Sequence, residues 1–368
     1  MSEAVSLAVA GAGLVGRRHV EAIAASLGVA ELHSIVDPSP AARDYARGLG
    51  IAWSADLSSA LGDNRAGSKA DGVILATPNA LHVSQGLDCV AAGVPVLVEK
   101  PVAVDVASAG ELVAAGEAAA VPILVGHHRR HNPLIAAAKA QIDAGALGKI
   151  VAVQGTCWLM KPDDYFDTPW RREPGAGPIL VNLIHDIDLL RHLCCEIVSV
   201  HALATSTIRG HAVEETAVAL LRFAGGALGT ITLSDTIVAP WSWELTAEEN
   251  PHYPATGQAC YQIGGTLASL ELPSLKIWRN PGVRSWREPI TATPIARQTP
   301  KALSGDPVAA DPLVRQIVHF AAVIRGDAQP LVSGREGLKT LAVIEAIKQS
   351  ARSGKTVVPE SVSGPKET

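Results

Sequence analysis

The hexapeptide Gly11-Ala12-Gly13-Leu14-Val15-Gly16 closes an apolar run and opens a helical pattern, the context in which such glycine spacing forms a phosphate-wrapping turn. Gly11 permits the tight turn, Gly13 lets backbone approach a pyrophosphate, and Gly16 allows close helix packing. The first helical N–H groups and the positive end of the helix dipole then face the anion. Asp37 ends the next apolar run, about 20 residues further on, where a carboxylate accepts from the adenine-side ribose hydroxyls and repels a 2′-phosphate. The pair implies NAD(H) in preference to NADP(H). Arg43 on the following helix leaves NADP use open, and capping a helix before Pro38 and Ser39 is a purely local use for Asp37. Lys100, within Glu99-Lys100-Pro101, closes a later apolar run. Its ammonium suits holding a substrate hydroxyl and easing loss of that proton, although a surface lysine paired with Glu99 accounts for the same residues.

These residues need a frame that brings strand ends together. Short apolar runs at 6–10, 32–36, 72–76, 94–98 and 122–125 read as buried strands, and helical patterns at 17–26, 40–49, 80–92 and 107–119 lie between them. Strict alternation implies right-handed crossovers and a doubly wound parallel sheet, an α/β fold whose ligands sit at the carboxyl ends of the strands. Beyond Gly126 the pattern changes to a helix at 133–144 and strands at 150–158, 198–205, 217–223 and 227–233, with Ala224-Gly225-Gly226 as a hairpin turn. A chain of 368 residues exceeds one ordinary core. The expected division is a dinucleotide-binding domain at 1–126 and an α+β substrate-binding and oligomerisation domain at 127–368, its polar tail from Ser353 fraying.

Composition removes other classes. The net charge of -5 offers no basic field for nucleic acid. Five cysteines, Cys89, Cys157, Cys194, Cys195 and Cys260, lack metal-type spacing and lie in apolar segments, which fits a reducing cytoplasm. Arg17 and Arg18 follow the first apolar run instead of preceding it, unlike a signal peptide, and no stretch has the length of a membrane span. The expectation is a cytoplasmic protein with no membrane and no nucleic-acid partner.

Taken in order, Gly11 to Gly16, Thr77-Pro78-Asn79 with His82, Glu99-Lys100-Pro101, Gly126-His127-His128-Arg129-Arg130, Gly175-Ala176-Gly177-Pro178, His185-Asp186-Ile187-Asp188-Leu189 and Gly265-Thr266-Leu267-Ala268-Ser269-Leu270 resemble the glucose-fructose oxidoreductase, inositol dehydrogenase and rhizopine-catabolism family (Gfo/Idh/MocA). The resemblance implies a Rossmann domain and a C-terminal α+β domain whose open, mostly antiparallel sheet forms a homodimer or homotetramer. Thr77, Pro78, Asn79, His82, Glu99 and Lys100 would then line the cofactor cleft, with the bond before Pro101 often cis. His185 matches the catalytic histidine, on a helix beginning near Ile179, and would meet Lys100 across the cleft, exchanging the hydroxyl proton while hydride passes between the carbon and the nicotinamide. Arg129 and Asn182 are candidate substrate contacts, and Trp170 with Arg171 resembles a pair that approaches the nicotinamide. Many relatives place an aspartate four residues before the histidine; here that residue is Val181, with Asn182 beside it, an amide that cannot relay a proton.

The run His127 to His131 lacks complementary ligand spacing, so no metal is expected. Asp163, Asp164 and Asp167 read as a solvated loop. Trp241, Trp243, Glu249, Asn250, His252 and Tyr253 suit stacking on a sugar face or packing at an oligomer interface. The leading expectation is an NAD-dependent dehydrogenase or reductase of a sugar, inositol or related cyclic polyol. An NAD-dependent glycosidase using transient oxidation, and a non-catalytic NAD(H) sensor, stand as alternatives.

Overall fold

A computed structural model of the chain describes residues 3–62, 69–250, 252–295 and 311–362. The first part runs β1 (Val5–Ala10), α1 (Leu14–Ala24), β2 (Ala30–Val36), α2 (Pro40–Leu49), β3 (Ala52–Ser54), β4 (Gly72–Leu75), α3 (His82–Ala91), β5 (Val96–Val98), α4 (Val106–Ala118) and β6 (Ile123–Val125). Its six strands are parallel in the order β3-β2-β1-β4-β5-β6, so the order reverses between β1 and β4, where a doubly wound sheet opens its ligand crevice. Leu7, Val9, Ile74 and Leu97 are fully buried, as interior parallel strands require. Local chemistry agrees with the ends. Ser39 caps α2 by accepting from the Ala42 N–H at 3.3 Å with Pro40 at the first helical position, and Asp105 caps α4 by accepting from the Ser108 N–H at 2.8 Å.

The second part contains α5 (Pro133–Asp143), β7 (Ile150–Trp158), α6 (Pro178–Val181), α7 (Leu183–Cys194), β8 (Ile197–Thr205), β9 (Thr216–Phe223), β10 (Leu228–Ser234), α8 (Trp243–Thr246), β11 (Tyr261–Gly265), β12 (Ser269–Leu272), β13 (Lys276–Arg279) and β14 (Thr291–Pro294), followed by α9 (Pro312–Ile324) and α10 (Gly334–Ser353). Eight strands form one sheet in the order β14-β13-β12-β11-β7-β10-β9-β8, antiparallel except for β7 beside β10. Period-two alternation sets its faces. In β9, Ala217, Ala219, Leu221 and Phe223 enter a core with Ile135, Leu183, Ile187 and Leu190, while Val218, Leu220 and Arg222 face outward. The anticipated fold, a Rossmann sheet followed by an open, mostly antiparallel one, is the observed fold.

Three expectations are corrected. The described residues fall into two compact units, 3–132 with 311–341 and 133–295 with 342–361, and not into one cut after residue 126. The reason is α9: Leu313, Val314, Ile317, Phe320 and Ala321 form an apolar face buried in the core that holds Leu7, Val9 and Ile74. The described part of the tail, 354–362, is tied down, because Val357 exchanges backbone hydrogen bonds with Val200 at 2.9 Å and the Ser350 hydroxyl donates to the Lys355 carbonyl at 2.6 Å; the rest of the tail lies outside the described residues. The helix expected to begin near Ile179 and carry His185 is two helices, interrupted at Asn182, which ends α6 and precedes α7. Among the described residues no helix is long and apolar enough to cross a membrane.

Candidate active site

In the first unit the carboxyl ends of β1, β2, β4, β5 and β6 deliver Gly11, Asp37, Thr77, Glu99 and Gly126. Gly11 has φ +89°, and a β-carbon there would stand 2.4 Å from the Ala76 carbonyl oxygen; one on Gly16 would stand 1.8 Å from the Gly11 carbonyl oxygen. Both therefore pack backbone on backbone. Gly13 differs, since a β-carbon there would meet nothing within 4 Å. It is the N-cap of α1, no side chain caps that helix, and its first turn holds no acidic residue. Leu14, 83% exposed, and Val15 rim the same opening. An uncapped helix N-terminus beside open space fits the pyrophosphate of a dinucleotide. Asp37 accepts the Ala12 N–H through Oδ2 and the Ser39 N–H through Oδ1, each at 2.8 Å, so it braces the glycine turn while Ser39 does the capping. Burial pushes the Asp37 carboxyl up, but those N–H donors outweigh it and hold its pKa below the ordinary value, leaving an anion suited to ribose hydroxyls.

Beyond β4, Pro78 and Asn79 are exposed, and the Thr77 hydroxyl donates to Gln85 Oε1 at 2.6 Å. His82 is fully buried, its Nδ1 2.9 Å from the Pro101 carbonyl oxygen and its Nε2 2.9 Å from that of Thr77. It shapes the two loops from beneath, in place of the cleft-lining position expected for it. The Lys100–Pro101 bond is cis, as the resemblance implied. Glu99 is buried, accepts from His19 Nε2 at 2.7 Å through Oε1 and from the Lys100 N–H at 3.1 Å through Oε2. Burial raises its pKa, yet the His19 hydrogen bond and the charges of His19, His128 and Lys100 pull it down to about 2. Arg129, buried in the turn after β6, adds its charge to the burial that holds His128 down at about 3.

These shifts make acid stability a readout. The unfolded chain protonates His128 from pH 6.5 downward while the folded one resists until about 3, so stability falls with pH across that window. Glu99, depressed from 4.5 to about 2, adds its loss below 4.5. Between pH 6.5 and 4.5 only His128 of this pair contributes, on the order of 2 kcal/mol. His128→Asn is expected to flatten the denaturant midpoint over that interval relative to the parent protein, and an unchanged slope would contradict the assignment.

In the second unit, Asn182 joins α6 to α7, and α7 carries His185. The Ile179 N–H donates to Glu214 Oε1 at 3.1 Å, which anchors the amino end of α6, and the His185 N–H donates to the Asn182 carbonyl at 3.1 Å. Burial raises the Glu214 pKa. His185 is buried, and the buried Oδ1 of Asn182 has no hydrogen-bond partner among the described residues. Tyr261 donates its hydroxyl to Asp186, and Trp243 stacks on Tyr261 with ring centroids 5.7 Å apart. Trp243 is thus core, whereas Trp241, edge-on to Trp158 at 5.6 Å, and Tyr253 remain exposed. Trp170 is exposed, while Arg171 lies 4.1 Å over the Tyr165 ring and donates to the Tyr165 carbonyl at 2.8 Å.

Residues 5–127 match the oxidoreductase family model with an NAD-binding Rossmann fold, and residues 135–271 match the GFO/IDH/MocA C-terminal domain. The chain belongs to the GFO/IDH/MocA oxidoreductase family. Its NAD-binding domain is the unit that carries Gly11 to Gly16. The rhizopine catabolism protein MocA of Rhizobium meliloti is 32% identical over 51% of this chain and 56% of that protein, little more than half its length. The scyllo-inositol 2-dehydrogenase (NAD(+)) of Bacillus subtilis is 30% identical over 67% of this chain and 72% of that one. The WlbA dehydrogenase of Bordetella pertussis, solved with NADH and UDP-GlcNAcA, superposes with TM-score 0.74 at 27% identity, covering 98% of this chain and 100% of that one.

Within this family member, several residues escaped the sequence reading. His19, Gln85 and Glu214 each look like ordinary core or surface residues until their partners are known, Glu99 and Ile179 being 80 and 35 residues away from His19 and Glu214. Lys161, Asp235 and Arg209 form a second buried set: Lys161 Nζ lies 3.4 Å from Asp235 Oδ2, and Arg209 pairs with Asp235 while donating to the Lys161 carbonyl at 2.9 Å. Burial lowers the Lys161 pKa against the pull of Asp235. This set fixes the loop carrying Asp163, Asp164 and Asp167, because Arg209 also lies 4.5 Å over the Phe166 ring.

Proposed function

We propose that this oxidoreductase, preferring NAD(H), interconverts CH–OH and C=O at a carbon of a sugar, inositol or related cyclic polyol or diol, with Lys100 and His185 handling the hydroxyl proton. The observation that carries the reading is Lys100 at the carboxyl end of β5, its N–H held by an ionised Glu99, on the same sheet edge as the open glycine turn. Bound NAD supplies the two-electron acceptor for the hydride that leaves the carbon. Lys100 stabilises the developing alkoxide as a fixed cation, and His185 takes or returns the proton as its imidazole allows. Asn182 presents its buried amide oxygen to a second hydroxyl, a role that a vicinal diol or polyol satisfies and an isolated alcohol does not. Arg129, Trp170 and Arg171 complete the ligand contacts. Asp37 favours NAD by accepting from both ribose hydroxyls, and its anionic state opposes a 2′-phosphate. The inositol relative and the nucleotide-sugar ligand of the WlbA structure support a ring polyol as the substrate class.

The deciding assay incubates purified protein with NAD+ and a panel of monosaccharides, inositols and cyclic diols, and with NADH and keto-sugars, following absorbance of the reduced nicotinamide. Turnover with a polyol and not with a simple secondary alcohol supports the assignment. No absorbance change in either direction removes it.

Assembly into a homodimer or homotetramer belongs to the same reading. The outward face of the second sheet leaves Leu203 exposed, and Leu220 at 53% and Leu228 at 56% exposed around a groove of about 700 Å³. Large apolar side chains exposed on an open sheet face support an interface there. Leu220→Asp is expected to lower the mass measured by light scattering to that of a smaller assembly, and a monomeric parent protein would refute the assignment.

A further inference from the structure

His19 is fully buried, three positions after Gly16 on α1. Its Nε2 lies 2.7 Å from Glu99 Oε1. An ionised carboxylate only accepts, so Nε2 carries the proton of that bond. The other Glu99 oxygen accepts the N–H of Lys100 itself at 3.1 Å. Gly126, at the end of the neighbouring strand, leaves the space this carboxylate occupies, since a β-carbon there would stand 2.8 Å from Glu99 Cδ. One carboxylate therefore has one oxygen on the helix that opens the NAD turn and the other on the first atom of the lysine.

We propose that His19 is a positioning residue: through Glu99 it ties the backbone of Lys100 to α1, so that the helix holding the dinucleotide and the loop holding the lysine keep one geometry. This rests on the role given above to Lys100. The physical reason is the cost of the alternative. A buried carboxylate deprived of a charge-assisted donor must turn toward water or take up a proton, and either movement withdraws the acceptor from the Lys100 N–H. Misplacing a reacting group by about 1 Å costs on the order of 100-fold in rate.

The test uses the full chain and three replacements. His19→Leu removes the donor. His19→Gln restores an N–H where Nε2 stands, whereas His19→Asn reaches only as far as Nδ1. Hydrogen exchange of the Lys100 amide, read by mass spectrometry on peptides spanning Lys100 and needing no substrate, is expected to accelerate at least about tenfold in His19→Leu and His19→Asn and to return toward the parent rate in His19→Gln. With the best polyol from the panel, kcat is expected to drop about 100-fold in the first two with the KM for NAD within about threefold, and to recover in His19→Gln. A double variant, His19→Leu with Glu99→Gln, removes the buried charge; its thermal midpoint should recover while turnover stays low, which a merely structural role would not produce. Parent-like exchange and turnover in His19→Leu overturn the proposal, as does equal loss in His19→Gln. Lys100→Met with undiminished turnover would instead defeat the role of Lys100 and leave the exchange result standing.

Discussion

Lys100→Met is expected to lower kcat by about three orders of magnitude while leaving the NADH dissociation constant within a few-fold, the span that loss of a positioned proton-handling group produces. Methionine keeps the apolar stem of lysine out to Cε, so the Glu99 carboxylate still accepts the backbone N–H. What disappears is the ammonium. His185→Asn should produce a loss of similar size, because α7 is anchored independently of the imidazole by the Asp186 contact to Tyr261, and the preceding α6 by the Glu214 bond to the Ile179 N–H. If the two groups act on one proton, the double variant will be little worse than either single one, since members of one catalytic unit are grossly non-additive. Single-turnover kinetics with NADH-binding titrations check this. Wild-type turnover in either variant, with binding unchanged, would remove that residue from the chemistry, and turnover unaffected in both would favour a sensor on the same fold.

The parts of this site that were legible in the amino-acid sequence are those set by local backbone demand. Gly11 and Gly16 announce a turn because no side chain fits there, and Asp37 announces itself by standing at the end of the second strand. Lys100 is legible by its place after an apolar run, and the family pattern added His185. Long-range partnership is what escaped. His19 and Glu99 are 80 residues apart, and an isolated histidine on an apolar helix face carries no mark of its partner. His82 was expected to line the cleft, but it is buried with each ring nitrogen 2.9 Å from a backbone carbonyl, those of Pro101 and Thr77. In the fold, α2, β7 and the β9–β10 hairpin follow their patterns because caps, alternation and the Ala224-Gly225-Gly226 turn agree. Strands β11 to β14 are four or five residues each, too short for periodicity to separate from loops. Helix α9 was missed for another reason: it lies far along the chain from the parallel sheet whose core it completes, and sequence order suggested the wrong unit.

The glycine turn yields the second large effect, and it separates folding from binding by choice of position. At Gly16 a β-carbon would lie 1.8 Å from the Gly11 carbonyl oxygen, and at Gly11 one would lie 2.4 Å from that of Ala76 with φ at +89°. Gly16→Ala and Gly11→Ala must displace backbone, so both are expected to lower the thermal midpoint by several degrees, the shift that about 1 to 2 kcal/mol of strain produces, and to lose NADH binding with it. Gly13 has φ -71° and ψ -167°, values open to any L residue, and open space in front of it. Gly13→Val should therefore fold with an unchanged midpoint. Yet its side chain would fill the volume where phosphate oxygens must meet the N–H groups at the start of α1. NADH affinity is expected to fall by at least about 100-fold, near 2.7 kcal/mol. Differential scanning fluorimetry and NADH fluorescence titration on the three variants give the comparison. A Gly13→Val protein that keeps parent affinity would mean that the pyrophosphate is held away from this helix, and the role of the turn would then be structural at all three glycines.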